Sequence, residues 1–271
     1  MKGRWLVVLV GLPLLLVVLL LCPPWATALL TCAIAAIAAY ELLHVTDQKT
    51  ELSVYVFTVI SAIAHIFCIF FEQNGILGII RWMLVTVLFF LAVLHYGKTT
   101  AIPFKQIATA IFGGIVFPTM YAYLPLLRSN DLYGRIYVLF PFAVAFIGDS
   151  FSMFGGKLFG KTKFSPFVSP NKTWAGAIAG AIGGALGLML FGWIGALACH
   201  YNANYLLLAL IGIVANLFGQ LGDLSMSLIK RENGIKDFSH LFLGHGGMLD
   251  RFDSTMFILP ILYYFINGGL L

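Results

Sequence analysis

The chain has 271 residues, of which 61% are hydrophobic and 10% charged, with a formal net charge of +5. A water-soluble domain carries about 25% charged residues, so the composition excludes an ordinary soluble protein. The basic excess calls for no nucleic acid, because membrane topology accounts for its distribution. Four cysteines, Cys22, Cys32, Cys68 and Cys199, lie in or beside apolar runs without CxxC or His-Cys spacing, which marks them as packing residues rather than metal or disulfide partners.

Crossing a hydrocarbon core of about 30 Å takes roughly 20 apolar residues. In chain order the sequence offers nine such spans, near 4–21, 26–45, 52–71, 76–95, 103–124, 133–148, 174–197, 204–229 and 254–271. The expected fold is an all-α, polytopic membrane helix bundle, because helices satisfy their own backbone groups where water is absent. Lys2 and Arg4 before the first run also fit a signal peptide, but the run is long for one and Pro23-Pro24 follow it. With nine spans and the N-terminus inside, the loops near 46–51, 96–105, 149–173 and 223–253 share one side. That side collects 13 of the 16 basic residues, leaving Arg81, Arg128 and Arg135 elsewhere. The positive-inside bias assigns it to the cytoplasm of a cell membrane.

Residues 1–148 read as a transmembrane scaffold of about six spans. Its ionisable groups in the first five spans, Glu41, His44, His65, Arg81 and His95, read as helix-end or packed interior residues rather than catalysts. Residues 149–271, about three spans and two cytoplasmic loops, read as the catalytic region. Six of the 11 acids fall there: Asp149, Asp223, Glu232, Asp237, Asp250 and Asp253. The first loop runs from Asp149 through GGKLFGKTKFSPFVSPNKTWAG, Gly155 to Gly176. It is basic and rich in glycine and hydroxyls, which suits either phosphate binding where Lys172-Thr173 meets a helix N-terminus or contact with anionic headgroups. Gly176, Gly180 and Gly184, with Gly183 and Gly187 beside them, form a close-packing face on the next helix.

In the helix after that, Asn216, Gln220, Asp223 and Ser227 fall on one stripe. An aspartate in a spanning helix is a functional candidate, and an interhelix hydrogen-bonded cluster is the alternative. Ser227 to Asp253 reads SLIKRENGIKDFSHLFLGHGGMLDRFD. Asp250 and Asp253, three apart at the start of the last span, join Asp223 as an oxygen-rich set suited to Mg²⁺. Lys230, Arg231, Lys236 and Arg251 are the complementary partners for phosphate oxygens. His245, flanked by glycines, is a candidate phosphate or metal-shell contact.

This segment resembles the phosphatidate cytidylyltransferase family, also called CDP-diacylglycerol synthases. The resemblance rests on Ser227, Lys230-Arg231, Lys236-Asp237, His245-Gly246-Gly247 and Asp250-Arg251-Phe252-Asp253, with the family's gap lengths. It reaches back through Asp149, Gly156, Gly160-Lys161 and Ser169-Pro170-Asn171-Lys172-Thr173-Trp174-Ala175-Gly176, and covers roughly the C-terminal half. Two positions depart from the family pattern: Leu243 stands where most members carry Pro, and Ala175 where they carry Glu. The resemblance implies the reaction CTP plus phosphatidate giving CDP-diacylglycerol plus diphosphate, in the membrane and without nucleic acid. It also implies a homodimer. The implied metal set is Asp223, Asp250 and Asp253, holding one or two Mg²⁺, two ions being spaced about 3.5–4 Å. Lys230 is expected to join those acids in catalysis, while Asp149, Ser169, Lys172, Thr173, Arg231, Lys236, His245 and Arg251 are expected to contact nucleotide or phosphate. The competing readings are a CTP-dependent polyprenol or phytol kinase and a cation-coupled transporter. The full signature disfavours the first, and the lack of an internal repeat disfavours the second.

Overall fold

The computed structural model describes residues 7–97, 101–242 and 246–269. Among them, each of the nine expected spans contains a helix: α1 (Leu12–Leu20, after a π-helical turn Val7–Gly11), α2 (Pro24–Thr46), α3 (Leu52–Phe70), α4 (Asn74–His95), α5 (Phe104–Arg128), α6 (Phe140–Phe159), α7 (Trp174–Cys199), α8 (Tyr205–Glu232) and α9 (Met248–Asn267). Seven are long and apolar enough to cross a bilayer: α2 to α5, α7, α8, and α6 with the short helical turn Gly134–Tyr137 before it. The chain is therefore an integral membrane protein. The first apolar helix, Leu9–Leu20, falls short of that length, and α9 opens on the polar sequence MLDRFD.

The chain forms two compact units. The first runs to Pro125 and takes in Asn233–Arg251. In it α2 packs on α3, and α3 on α4, around a core that includes Leu43, Val54, Leu84, Leu88, Ile107 and Ala110. A π turn at Phe112–Val116 interrupts α5. Such a turn loosens the regular backbone hydrogen-bond ladder, which in an apolar setting calls for another partner; here Ser61 Oγ donates to the Gly114 carbonyl at 3.0 Å. Deep in the unit, His65 is fully buried and its Nε2 accepts from the half-buried Arg81 Nε at 3.0 Å. On its outer face α4 exposes Ile79, Trp82, Met83, Phe90 and Val93, a surface suited to lipid and too apolar for water.

The second unit comprises Leu126–Glu232 and Phe252–Leu271. In it α7 lies against α6 and α8, and the expected glycine face makes the contact. Gly176, Gly180, Gly183, Gly184 and Gly187 are all buried. A Cβ at Gly184 would stand 2.6 Å from Asn216 Cβ and 2.7 Å from the Gly212 carbonyl oxygen, while one at Gly187 would meet the Ala143 carbonyl at 2.9 Å. Small residues bring the backbones together where no hydrophobic drive separates helix from lipid.

The expected 149–173 loop is shorter than the sequence suggested. Helix α6 continues to Phe159, so Asp149 is helical, and the connection begins at Gly160. Falling hydropathy marks where the lipid boundary is expected, but the hydrogen-bond ladder continues past it because no proline falls between Asp149 and Phe159. Gly155 and Gly156 are packing residues of that extension: a Cβ on Gly155 would overlap Ala179, and one on Gly156 would crowd Thr173 Oγ1 at 3.2 Å. The rest of the loop folds into an antiparallel hairpin, β1 (Lys163–Ser165) with β2 (Ser169–Thr173), pairing Ser165 with Ser169 and Lys163 with Thr173.

Gly184→Leu is expected to lower stability by at least about 1–3 kcal/mol, the usual cost of overpacking. Gly78→Ala, whose Cβ meets nothing within 4 Å, is expected to be neutral or mildly stabilising. Thermal unfolding in detergent checks both.

Candidate active site

The site in the second unit is built where the basic loop after α6 and the polar stripe of α8 meet helix ends. Thr173 is buried and extended (φ −126, ψ 156), and its Oγ1 accepts from Gly176 N at 3.1 Å, capping α7. The cap fixes the end of β2, and with it Lys172. The Lys172 ammonium reaches Asp223 Oδ2 on α8 at 2.6 Å. On the other side of Asp223, Ser227 Oγ donates to Oδ1 at 3.3 Å. One turn further back, Gln220 Nε2 donates to Asn216 Oδ1 at 2.7 Å and to the Ala177 carbonyl at 3.0 Å, while Asn216 Nδ2 donates to the Val144 carbonyl at 3.3 Å. The polar stripe thus divides by function. Asn216 and Gln220 tie α6, α7 and α8 together, and Asp223 is left facing charged groups.

Those charged groups form one cluster. Asp149 on α6 lies in electrostatic reach of Asp223 and Lys172. Asp253 on α9 is in reach of Asp223, Asp149 and Lys230. The backbone N–H of Ser254 donates to Asp253 Oδ1 at 2.6 Å. Three carboxylates facing two ammoniums leave a negative remainder. Among the described residues no three His, Cys, Asp or Glu side chains converge closely enough to hold a metal ion. The carboxylates around Asp223 nevertheless offer oxygen donors alone, the chemistry a hard divalent cation takes, and here the Lys172 ammonium supplies the positive charge.

Beside the cluster is a cavity of about 490 Å³ bounded by α6, the hairpin, the start of α7 and Gln220. Lys157, Lys163 and Lys172 line it against a single carboxylate, Asp149, with Ser152, Asn171 and Thr173 adding polar groups. A concave, lysine-rich wall at the first turn of a helix is suited to phosphate oxygens. An apolar groove of about 400 Å³ shares Phe164, Ala177 and Gln220 with it and continues along Ile178, Ala181, Leu217 and Leu221. Lys157 and Lys163 were not singled out in the sequence. Their signal was membership in the same basic loop as Lys172.

The other expected site residues are distributed as follows. Lys230 is buried on α8, and Arg231 Nε donates to the Val168 carbonyl at 3.4 Å, tying the end of α8 to the hairpin turn. Ser169 opens β2 and is not among the described residues that line the cavity. Asp250, Lys236 and Arg251 belong to the first unit, where Lys236 and Arg251 are exposed. The Asp250 carboxylate organises the loop before it: Oδ2 accepts from Phe238 N at 2.8 Å and from Gly247 N at 2.9 Å. His245 and Leu243 lie outside the described residues, as do Lys2, Arg4 and Lys98. A residue the sequence had relegated to packing, Glu41 on α2, accepts from Ser239 Oγ and from the first two amides of α9.

A sequence model described as the cytidylyltransferase family matches residues 2–268. Similar proteins include the phosphatidate cytidylyltransferase of Bacillus subtilis (strain 168), 34% identical over 197 residues, which are 73% of this chain and 71% of that protein. The phosphatidate cytidylyltransferase of Rickettsia bellii (strain RML369-C) is 38% identical over 166 residues, 60% of this chain and 71% of that protein. The one of Staphylococcus haemolyticus (strain JCSC1435) is 42% identical over 151 residues, 55% of this chain and 53% of that protein.

The α7 cap yields a prediction independent of any activity. Thr173→Val, which keeps the shape and removes the acceptor, is expected to cost about 0.5–2 kcal/mol, and Thr173→Ser to recover most of it. Thermal unfolding in detergent measures the difference.

Proposed function

Because this chain belongs to the cytidylyltransferase family, we propose that it joins CTP to phosphatidate, giving CDP-diacylglycerol and diphosphate. The observation that carries this reading is the shared wall: a lysine-lined polar cavity and an apolar groove meet at Phe164, Ala177 and Gln220. A water-soluble polyanion suits the first, and the acyl part of a membrane-bound phosphate suits the second.

The proposed step is an in-line displacement. An oxygen of the phosphatidate phosphate attacks the α-phosphorus of CTP, and the new P–O–P bond forms as the bond to the bridging β-phosphate oxygen breaks. The electron pair departs on diphosphate. The attacking phosphate is already ionised near pH 7, so no protein nucleophile or base is needed. Catalysis then consists of holding two anions together and balancing charge on the leaving group. Lys157, Lys163 and Lys172 are the proposed phosphate partners in the cavity, and Lys230, in reach of Asp253, and Arg231, bonded to the hairpin turn, are proposed as further ones. Asp223 and Asp253 would hold Mg²⁺, with Asp149 in support. Asp250 enters as a metal ligand, and Ser169, Thr173, Lys236, His245 and Arg251 as substrate contacts, on the signature alone. When bound, the ion would offset the negative remainder of the acidic cluster and polarise the phosphates.

The sidedness of the basic residues supports a place in the cell membrane with the N-terminus and the site facing the cytoplasm. A homodimer is proposed on the family resemblance alone.

Purified protein incubated with phosphatidate, Mg²⁺ and CTP labelled at the α-phosphate is expected to place label in the lipid phase. CTP labelled at the γ-phosphate is expected to label only diphosphate. The reverse pattern would identify a lipid kinase, and neither pattern would reject both. Asp223→Asn is expected to reduce kcat on the order of 100- to 1,000-fold, the scale of lost transition-state charge stabilisation. Lys172→Ala is expected to raise the KM for CTP about tenfold or more, as for a lost charged hydrogen bond.

A further inference from the structure

Glu41 lies near the C-terminal end of α2 and is 2% exposed. A buried carboxylate within a spanning helix is costly unless every oxygen is satisfied. Its donors come from a single distant segment. Oε1 accepts from Ser239 Oγ at 2.6 Å and from Met248 N at 2.9 Å, and Oε2 accepts from Leu249 N at 2.9 Å.

Met248 and Leu249 are the first two residues of α9, and their amides belong to the orphan donors that every helix start must satisfy. A Ser, Thr, Asp or Asn just before the helix usually accepts such bonds. Here that position is Gly247, which has no side chain to offer. A Cβ there would run into the Glu41 carboxylate itself, with Cδ at 2.6 Å and Oε2 at 2.7 Å. The glycine therefore makes room for a cap delivered from α2.

Asp250, the third residue of α9, supplies the complementary half. Its Oδ2 accepts from Gly247 N at 2.9 Å, the backward reach of a capping box, and from Phe238 N at 2.8 Å. Gly246 turns the chain into this arrangement at φ +78, a conformation that suits glycine. Glu41 thus holds the amides of Met248 and Leu249, which follow directly on Gly247, whose own amide the Asp250 carboxylate binds.

We propose that Glu41 is a positioning residue: by capping α9 across the unit, it sets the orientation of Asp250 for cation binding. This rests on the role given to Asp250 under the proposed function. Glu41 itself touches no substrate. It acts through the backbone of Gly247 to Leu249, and any change of cation affinity at its substitution passes through that segment.

The test uses the full chain in detergent, first without substrates. Glu41→Gln keeps the shape, but its amide nitrogen must face one of the donors that the carboxylate accepted. Hydrogen exchange at the amides of 247–250 is expected to accelerate on the order of tenfold, the loss of about one hydrogen bond, with other segments unchanged. Mn²⁺, titrated by electron paramagnetic resonance as the probe cation, is expected to bind about tenfold more weakly. In turnover assays the Mg²⁺ requirement should rise in step, with KM for CTP at saturating Mg²⁺ within about twofold of the original. Glu41→Asp, which keeps the charge on a shorter arm, should recover part of both effects, and it carries the test should Glu41→Gln fail to fold. Unchanged exchange, or faster exchange with unchanged Mn²⁺ affinity, overturns the proposal. Asp250→Asn measured alongside separates the causes: if it loses Mn²⁺ and Glu41→Gln does not, the positioning role is wrong; if neither does, the assignment of Asp250 to the cation has failed as well.

Discussion

The 2.6 Å ion pair between Lys172 and Asp223 joins two of the elements that carry the second unit's charged groups, the hairpin and α8. Asp223 lies on a helix long and apolar enough to span the bilayer, where an unpaired carboxylate would be expensive. Lys172 is the last residue but one of the hairpin strand, which the buried Thr173 hydroxyl anchors to α7. The pair thus makes an acid tolerable at that depth and fixes a lysine beside a cavity that two further lysines line. With Asp149 and Asp253 in electrostatic reach, one added cation or one bound polyanion changes the balance of the whole cluster.

Such a cluster needs helices that approach one another closely, and the glycines of α7 allow it. Space freed at Gly180 and Gly184 is occupied by Ser152, Asn216 and Gln220. The polar groups that enter bond to one another and to carbonyls of neighbouring helices. Specificity of packing and placement of charge are therefore one feature of the sequence. The same helix, α7, that these small residues seat against α6 and α8 borders at its head the cavity that Lys157, Lys163 and Lys172 line.

Much of this was legible in the sequence, for reasons that differ by element. Helices α2 to α8 follow from unbroken apolar runs, because length and hydropathy are what a bilayer selects. Asp223, Lys172 and Asp253 stood out because charge in or beside such runs is rare. That Lys172 reaches Asp223 was not legible, since 51 residues and one helix separate them in the sequence. The extension of α6 through Asp149 to Phe159 was hidden because hydropathy falls before the helix ends. The hairpin was hidden by Pro166 and Pro170, which read as loop and sit within or beside short strands. Glu41 was the deepest omission: a lone acid in an apolar run has no periodic partner, and its donors lie 198 to 208 residues away.

The central claim is that Lys172 and Asp223 act as one charged unit in turnover. A double-mutant cycle of Lys172→Met and Asp223→Asn, read as kcat/KM for CTP at saturating Mg²⁺, tests it directly. The account predicts strong non-additivity, with the double variant no worse than the poorer single one and a coupling of about 0.5–3 kcal/mol, the range for residues in one network. Losses that simply multiply would show that the two residues serve the reaction independently and would contradict the account.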